Sequence, residues 1–252
     1  MALLISTVQN QKISYGSPAA VKGVTQKSLR FIIKVVSVPN DILTHPIAGL
    51  YSSTATDEMY LLEAAYVSPS KWDLYFIVHW STGDGMWRLP NLNYNSVYDA
   101  VITYDGGATS NNPLGYLNGV SKSVAKDAGP TGTLRVGTGG NFIIGDFFNN
   151  GTQLPPNFYF QEYALLSGIL TAGQVSSLWN GGSPKLNAYP TTPVLYDPLL
   201  TASANASGGS TYPFTGTLVG GTNYLEDRIN GTQGTITGSP QGASDLIFGT
   251  GY

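Results

Sequence analysis

From Trp72 to Trp80 the chain alternates without interruption. Trp72, Leu74, Phe76, Val78 and Trp80 share one face, and Lys71, Asp73, Tyr75, Ile77 and His79 share the other. An α-helix would scatter these residues around its axis, so the segment is read as a strand with one buried face. Burying that face contributes about 1.5–3 kcal/mol per large side chain. Further strands are expected at Leu29–Val36, Glu58–Val67, Ser96–Tyr104 and Phe158–Leu166, with shorter ones at Ile47–Tyr51, Met86–Leu89, Leu134–Val136 and Phe142–Ile144. Asp105-Gly106-Gly107 marks a turn. Asn118-Gly119, between Leu114–Leu117 and Val120–Val124, is a strong hairpin signal because both residues tolerate positive φ. One helix is expected over 171–180. Thr171 and Gln174 form a capping box, Val175, Leu178 and Trp179 an apolar stripe, and Gly181 the stop. The fold class is all-β: a sandwich with one short helix and a C-terminal β extension.

A chain of 252 residues accommodates one generous sandwich. Only 11% of the residues are charged, against roughly 25% in an ordinary soluble domain. So little charge gives weak colloidal protection, which points to a surface partly covered by neighbours. The 12 basic residues are scattered and the net charge is -3, which argues against a nucleic-acid groove. There is no cysteine, hence no disulfide or thiolate chemistry. The opening MALLISTVQNQK does not read as a signal peptide, and no stretch approaches the ~20 apolar residues of a membrane span. The expected organisation is an N-terminal strand or arm over 1–27, a sandwich over 28–182, a Pro/Ser/Gly-rich linker over 183–214 and a β tail over 215–252. That tail packs on its own sandwich or on a neighbouring subunit.

Several runs taken in order resemble the laminin-G-like, concanavalin A-like jelly-roll family. They are YDAVITYDGG (Tyr98–Gly107), GYLNGV (Gly115–Val120), NFIIGD (Asn141–Asp146), and Phe158 to Gly182, which contains FQEYALLSGILTAGQVSSLWNGG. The resemblance covers about residues 28–182 and implies a jelly roll of two antiparallel sheets. A segment that such families often carry ahead of the first core strand stands here at the end, as Tyr212-Pro213-Phe214, Asp227 and Asn230–Gly238. This implies a permuted or exchanged arrangement, with folding back in cis the plainer one.

Catalytic chemistry is weakly represented. Related jelly-roll glycanases place two carboxyl groups on one face, about 5–9.5 Å apart. Glu58 and Glu63 have opposite parity on a regular strand, and Asp73 stands alone. Asp73, His79 and Ser81 share a face, but Asp73 and His79 are about 20 Å apart along a strand. His45, before Pro46, reads as a loop residue. No catalytic residue and no metal site is therefore assigned. No cofactor is required; the resemblance admits calcium, for which Asp84, Asp99, Asp105 and Asp146 offer oxygens without the compact ligand run that calcium needs. A glycan patch would combine exposed aromatics with amide groups, and the candidates are Trp87, Tyr94, Tyr104, Asn111, Asn112 and Tyr116. Glycosylation sequons at Asn150, Asn205 and Asn230 mean little without a secretion signal. The expectation is a non-enzymatic structural protein of a bacteriophage virion surface. Its partners would be copies of itself and other virion proteins. A glycan-binding adhesion module for cell-surface sugars is the alternative, and a polysaccharide-degrading enzyme comes third.

Overall fold

The computed structural model describes residues 2–5, 12–16, 19–51, 60–136, 140–145, 153–185, 188–197, 224–226, 233–237 and 241–243. Its strands in chain order are β1 (Ala2–Ile5), β2 (Lys12–Ser14), β3 (Gln26–Ser37), β4 (Thr44–Tyr51), β5 (Tyr60–Ser68) and β6 (Lys71–Val78). There follow β7 (Gly85–Asn93), β8 (Val97–Asp105), β9 (Leu114–Leu117), β10 (Val120–Lys122), β11 (Ala125–Ala128), β12 (Asn141–Gly145) and β13 (Asn157–Ser167). Helix α1 (Ala172–Trp179) precedes β14 (Leu195–Asp197), β15 (Tyr224–Glu226), β16 (Gln233–Thr237) and β17 (Gln241–Ala243).

These strands build two antiparallel sheets, a jelly roll. The first sheet runs β10-β9-β8-β3-β13-β1-β17, with β14 also on β13; the second runs β11-β7-β6-β5-β4-β12-β2-β16-β15. The N-terminal strands β1 and β2 are integrated, one in each sheet. The tail strands extend them: β17 pairs β1, and β16 pairs β2 in register Ile236 to Ile13. Residues 212–214, 217–219, 227, 230–232 and 246–248 of the tail lie outside the described residues.

Alternation decides the core. Trp72, Leu74, Phe76, Val78 and Trp80 face inward from the second sheet, opposite Leu29, Phe31, Ile33 and Val35 of β3 and Phe158, Phe160, Tyr163 and Leu165 of β13. A bulge at Gln161 restores inward parity between Phe160 and Tyr163.

Part of the outer face of the first sheet is covered by the helix. Val101, Tyr116, Ala164 and Leu166 pack under Leu170, Val175 and Leu178. The Thr171 hydroxyl accepts from Gln174 N–H and the Gln174 side chain accepts from Thr171 N–H, completing the capping box, while Asn180 ends the helix in the left-handed region at φ 49°. Beside the helix lies a buried ionic cluster. Arg30 Nε and Nη2 donate to Asp99 at 3.0 and 2.8 Å, Nη1 donates to the Lys185 carbonyl at 2.8 Å, and Glu162 lies 3.6 Å from Nη1. Tyr189 donates to Glu162. Burial alone would lower the Arg30 pKa; Glu162 and Asp99 outweigh it and raise the value.

Three local expectations are corrected. The strand expected at Ile47–Tyr51 is longer, because β4 covers Thr44–Tyr51 and pairs with both β5 and β12. Strand β7 does not stop before Pro90 but continues to Asn93 through a bulge. Leu134 makes only an isolated bridge with Trp80. Proline lacks a donor, and a bulge is where a strand tolerates that loss.

Candidate functional site

The bulge in β7 shapes a cleft at the surface of the sandwich. Trp72 pairs with Leu92 and Leu74 with Leu89, so Pro90 and Asn91 together oppose Asp73. Asn91 takes up the extra length in the left-handed region, at φ 61°. Its backbone N–H, turned out of the ladder, donates to Asp73 Oδ1 at 2.7 Å. Asp73 Oδ2 accepts from Arg88 Nη1 at 2.7 Å, and Arg88 Nε reaches Asp127 at 3.1–3.2 Å. A buried carboxylate and a clamped arginine thus hold the bulge.

The cleft lies where the edge of the second sheet meets the β9–β10 hairpin. It encloses about 480 Å³. Leu89, Leu92 and Leu117 supply apolar lining and Tyr98 an aromatic side chain, with Asn91, Asn118, Lys122 and Ser123 as the polar groups. Tyr98 is oriented by its hydroxyl, which accepts from Asn93 N–H at 2.8 Å. Asn118 occupies the hairpin turn at φ 52°. It donates its N–H to the Asp99 carbonyl and accepts from Asp99 N–H through Oδ1, both at 2.9 Å, which leaves its Nδ2 hydrogens for a ligand. Gly119 completes the turn at φ 73°, under Trp179, where a Cβ would come within 2.8 Å of that side chain. The helix thereby fixes one wall of the cleft.

The sequence-predicted glycan residues do not gather on one exposed patch. Trp87 and Tyr104 lie inside the sandwich, each 1% exposed, with ring centroids 5.1 Å apart. Tyr116 is buried beneath α1, and Tyr94 packs partly buried against the core. Asn112 accepts from the Trp87 indole N–H at 3.1 Å, and Asn111 donates to the Asp105 carbonyl at 3.0 Å. Stacking on a sugar needs an open ring face, which Trp87, Tyr104 and Tyr116 lack. Among the described residues, the edge cleft is where a tyrosine and amide side chains come together at the surface. Of its lining residues, Asn118 was legible as a turn former, while Tyr98, Asn91, Lys122 and Ser123 carried no signal.

His79 pairs with Asp84 at 3.1 Å, not with Asp73; burial lowers its pKa and Asp84 opposes that. His45 is not a loop residue: it begins the buried part of β4 and bonds the Leu154 carbonyl at 2.8 Å and Asp41 at 3.1 Å. Of the oxygens considered for calcium, Asp84 holds His79 and Trp80 N–H, Asp99 holds Arg30, and Asp105 accepts from Gln26 and Gly107. Asp146 and Glu58 lie outside the described residues. Among the described residues no group of three or more His, Asp or Glu side chains could hold a metal ion, and no helix is long and apolar enough to cross a membrane.

No family model and no curated protein matches the chain. Solved structures do. The fold is that of lectin-like jelly rolls. A native heptameric SAP-like pentraxin from Limulus polyphemus superposes with TM-score 0.54 at 18% identity, over 75% of this chain and 86% of that one. A Bacteroides ovatus protein provisionally named as carbohydrate-binding follows at TM-score 0.48 and 16% identity, over 93% of this chain and 60% of that one. The carbohydrate-binding module of a Ruminococcus gnavus sialidase, bound to sialyllactose, gives 0.43 and 11%, over 69% and 98%. Likeness at such identity speaks for the fold, and fold does not carry function with it.

Proposed function

We propose that this chain is a carbohydrate-binding module of lectin type that works without catalysis, with the edge cleft as its sugar site. The observation that carries the reading is the bulge at Pro90–Asn91. It aims a main-chain kink into a cleft lined by a tyrosine and two left-handed asparagines, and a buried carboxylate–arginine pair holds it in place. Bulges that re-aim a residue belong to built sites more than to plain ladders. The cleft volume falls within the range of small-ligand sites, roughly 300–1,000 Å³. Amide groups suit sugar hydroxyls, and tyrosine offers an apolar face beside its polar tip.

A glycan array followed by calorimetric titration tests the reading, with Asn91→Gly as the informative variant. Glycine keeps the positive φ and the bulge but removes the amide. The expected result is saturable binding that falls about two- to tenfold in the variant, as for one lost neutral hydrogen bond. A blank array, or a variant that binds as tightly as the parent, would overturn it.

The scarcity of charge favours a setting in many copies, of which a virion surface is one. Weak single sites gain avidity there. Light scattering on the purified chain, alone and with particles, examines this setting; a monomer indifferent to every particle tested would remove it.

A further inference from the structure

We infer that the ligand of the edge cleft is an anionic saccharide whose acidic group is met by Lys122. This deepens the sugar-site reading and rests on it. The argument is an account of charge around the cleft. No lining residue carries a carboxylate, and the single ionic side chain is Lys122, on the exposed edge strand β10. Two aspartates do lie directly behind the lining. Asp73 accepts the Asn91 N–H through its carboxylate, and Asp99 meets the Asn118 turn through its backbone N–H and carbonyl. Each carboxylate turns to an arginine rather than to the ligand, and each arginine is shared with a second acid, Arg88 with Asp127 and Arg30 with Glu162. Asp73 pairs with Arg88 at 2.7 Å, and Asp99 takes the Arg30 guanidinium through two oxygens on the covered outer face of the first sheet. Both aspartates are only 2% exposed.

The one ionic side chain that a ligand in the cleft can touch is Lys122, which makes no ion pair among the described residues, and hydrogen-bond donors stand beside it. Asn118 offers Nδ2–H and Ser123 its hydroxyl, while the Tyr98 hydroxyl already accepts from Asn93 N–H. A neutral sugar presents many hydroxyl donors and wants acceptors in return. A carboxylate or sulfate is acceptor-only and matches a donor-rich, cationic rim. Because Lys122 is exposed, its contribution is modest and sensitive to salt.

The test uses the full chain on an array of uronate-, sialate- and sulfate-bearing oligosaccharides, each beside its neutral counterpart. The three acidic arms separate the sources of the anion. The expected result is a preference for acidic members. Lys122→Gln should weaken acidic members about two- to fivefold more than their neutral counterparts, and rising salt should shrink the preference in the parent only. Equal binding of acidic and neutral members, still lost in Asn91→Gly, overturns the charge preference but leaves the sugar site standing. An acidic preference indifferent to Lys122→Gln overturns the assignment to Lys122. A blank array for the parent overturns both.

Discussion

The outer face of the first sheet and the edge cleft are built from the same pair of residue types and put them to different ends. Arg30 and Asp99 lie beside α1 with side chains 0% and 2% exposed, and Glu162 and the Lys185 carbonyl complete the arginine's partners. Arg88 and Asp73 lie beside the cleft, 36% and 3% exposed, and the aspartate spends its second oxygen on the bulge. The first pair closes a surface. The second keeps one open in a defined shape. An arginine–aspartate pair thus says little until its cover is known, because burial decides whether losing a partner strands a charge.

Removing the buried arginine tests this difference most severely. Arg30→Met should destabilise by about 3–5 kcal/mol, because Asp99 and Glu162 are left as uncompensated buried charges. Denaturant melts at neutral pH measure it, and a loss below about 1 kcal/mol would place the pair with ordinary surface bridges.

The next largest effect comes from the other side of the same strand. Lys27 is also 0% exposed, but it points inward over the Tyr60 ring at 5.4 Å, and its Nζ has no hydrogen-bond partner. Burial pushes its pKa down to about 7, against about 10.4 for an unfolded lysine. Between those values the unfolded chain holds a proton that the folded chain has released. Stability should therefore be lowest below about pH 7 and rise as pH climbs towards about 10.4. Lys27→Met should stabilise the protein most on the acid side and flatten this slope. Denaturant midpoints across the window check it, and a parent profile already flat would refute the uncompensated state.

Smaller effects sharpen the comparison from each side. Arg88→Met leaves the buried Asp73 carboxylate with the Asn91 N–H as its remaining partner and should cost about 1–3 kcal/mol. It should also weaken sugar binding about two- to fivefold by freeing the bulge. If binding survives while exchange of the Asn91 amide accelerates, the clamp holds the strand but not the site. Thr171→Ala removes the helix cap and should cost about 1 kcal/mol, loosening the cover over Arg30; amide exchange on β13 beneath the helix should quicken with it.

Much of this architecture was legible from local pattern. Trp72–Trp80 declared its inward face through a two-residue period. Thr171 and Gln174 declared the helix start, and Asn118-Gly119 the hairpin. These signals are local because each is set by backbone geometry within a few residues. The site was not legible in that way. Trp87 and Tyr104 were expected at the rim because turns are near, yet both strands run on and carry those rings inward. Pro90 reads as a strand end; only Asp73, 18 positions from Asn91, supplies the acceptor that lets β7 continue past it.

The amino-acid order alone determined the strand periods, the turns and the single capped helix, since each follows from conformational preferences of neighbouring residues. Tertiary structure decided which outer face is covered, which arginine is buried and where a cleft opens. Those outcomes depend on partners far apart in the chain, such as Arg30 and the carbonyl 155 positions further on, and no local preference specifies which distant segment will arrive.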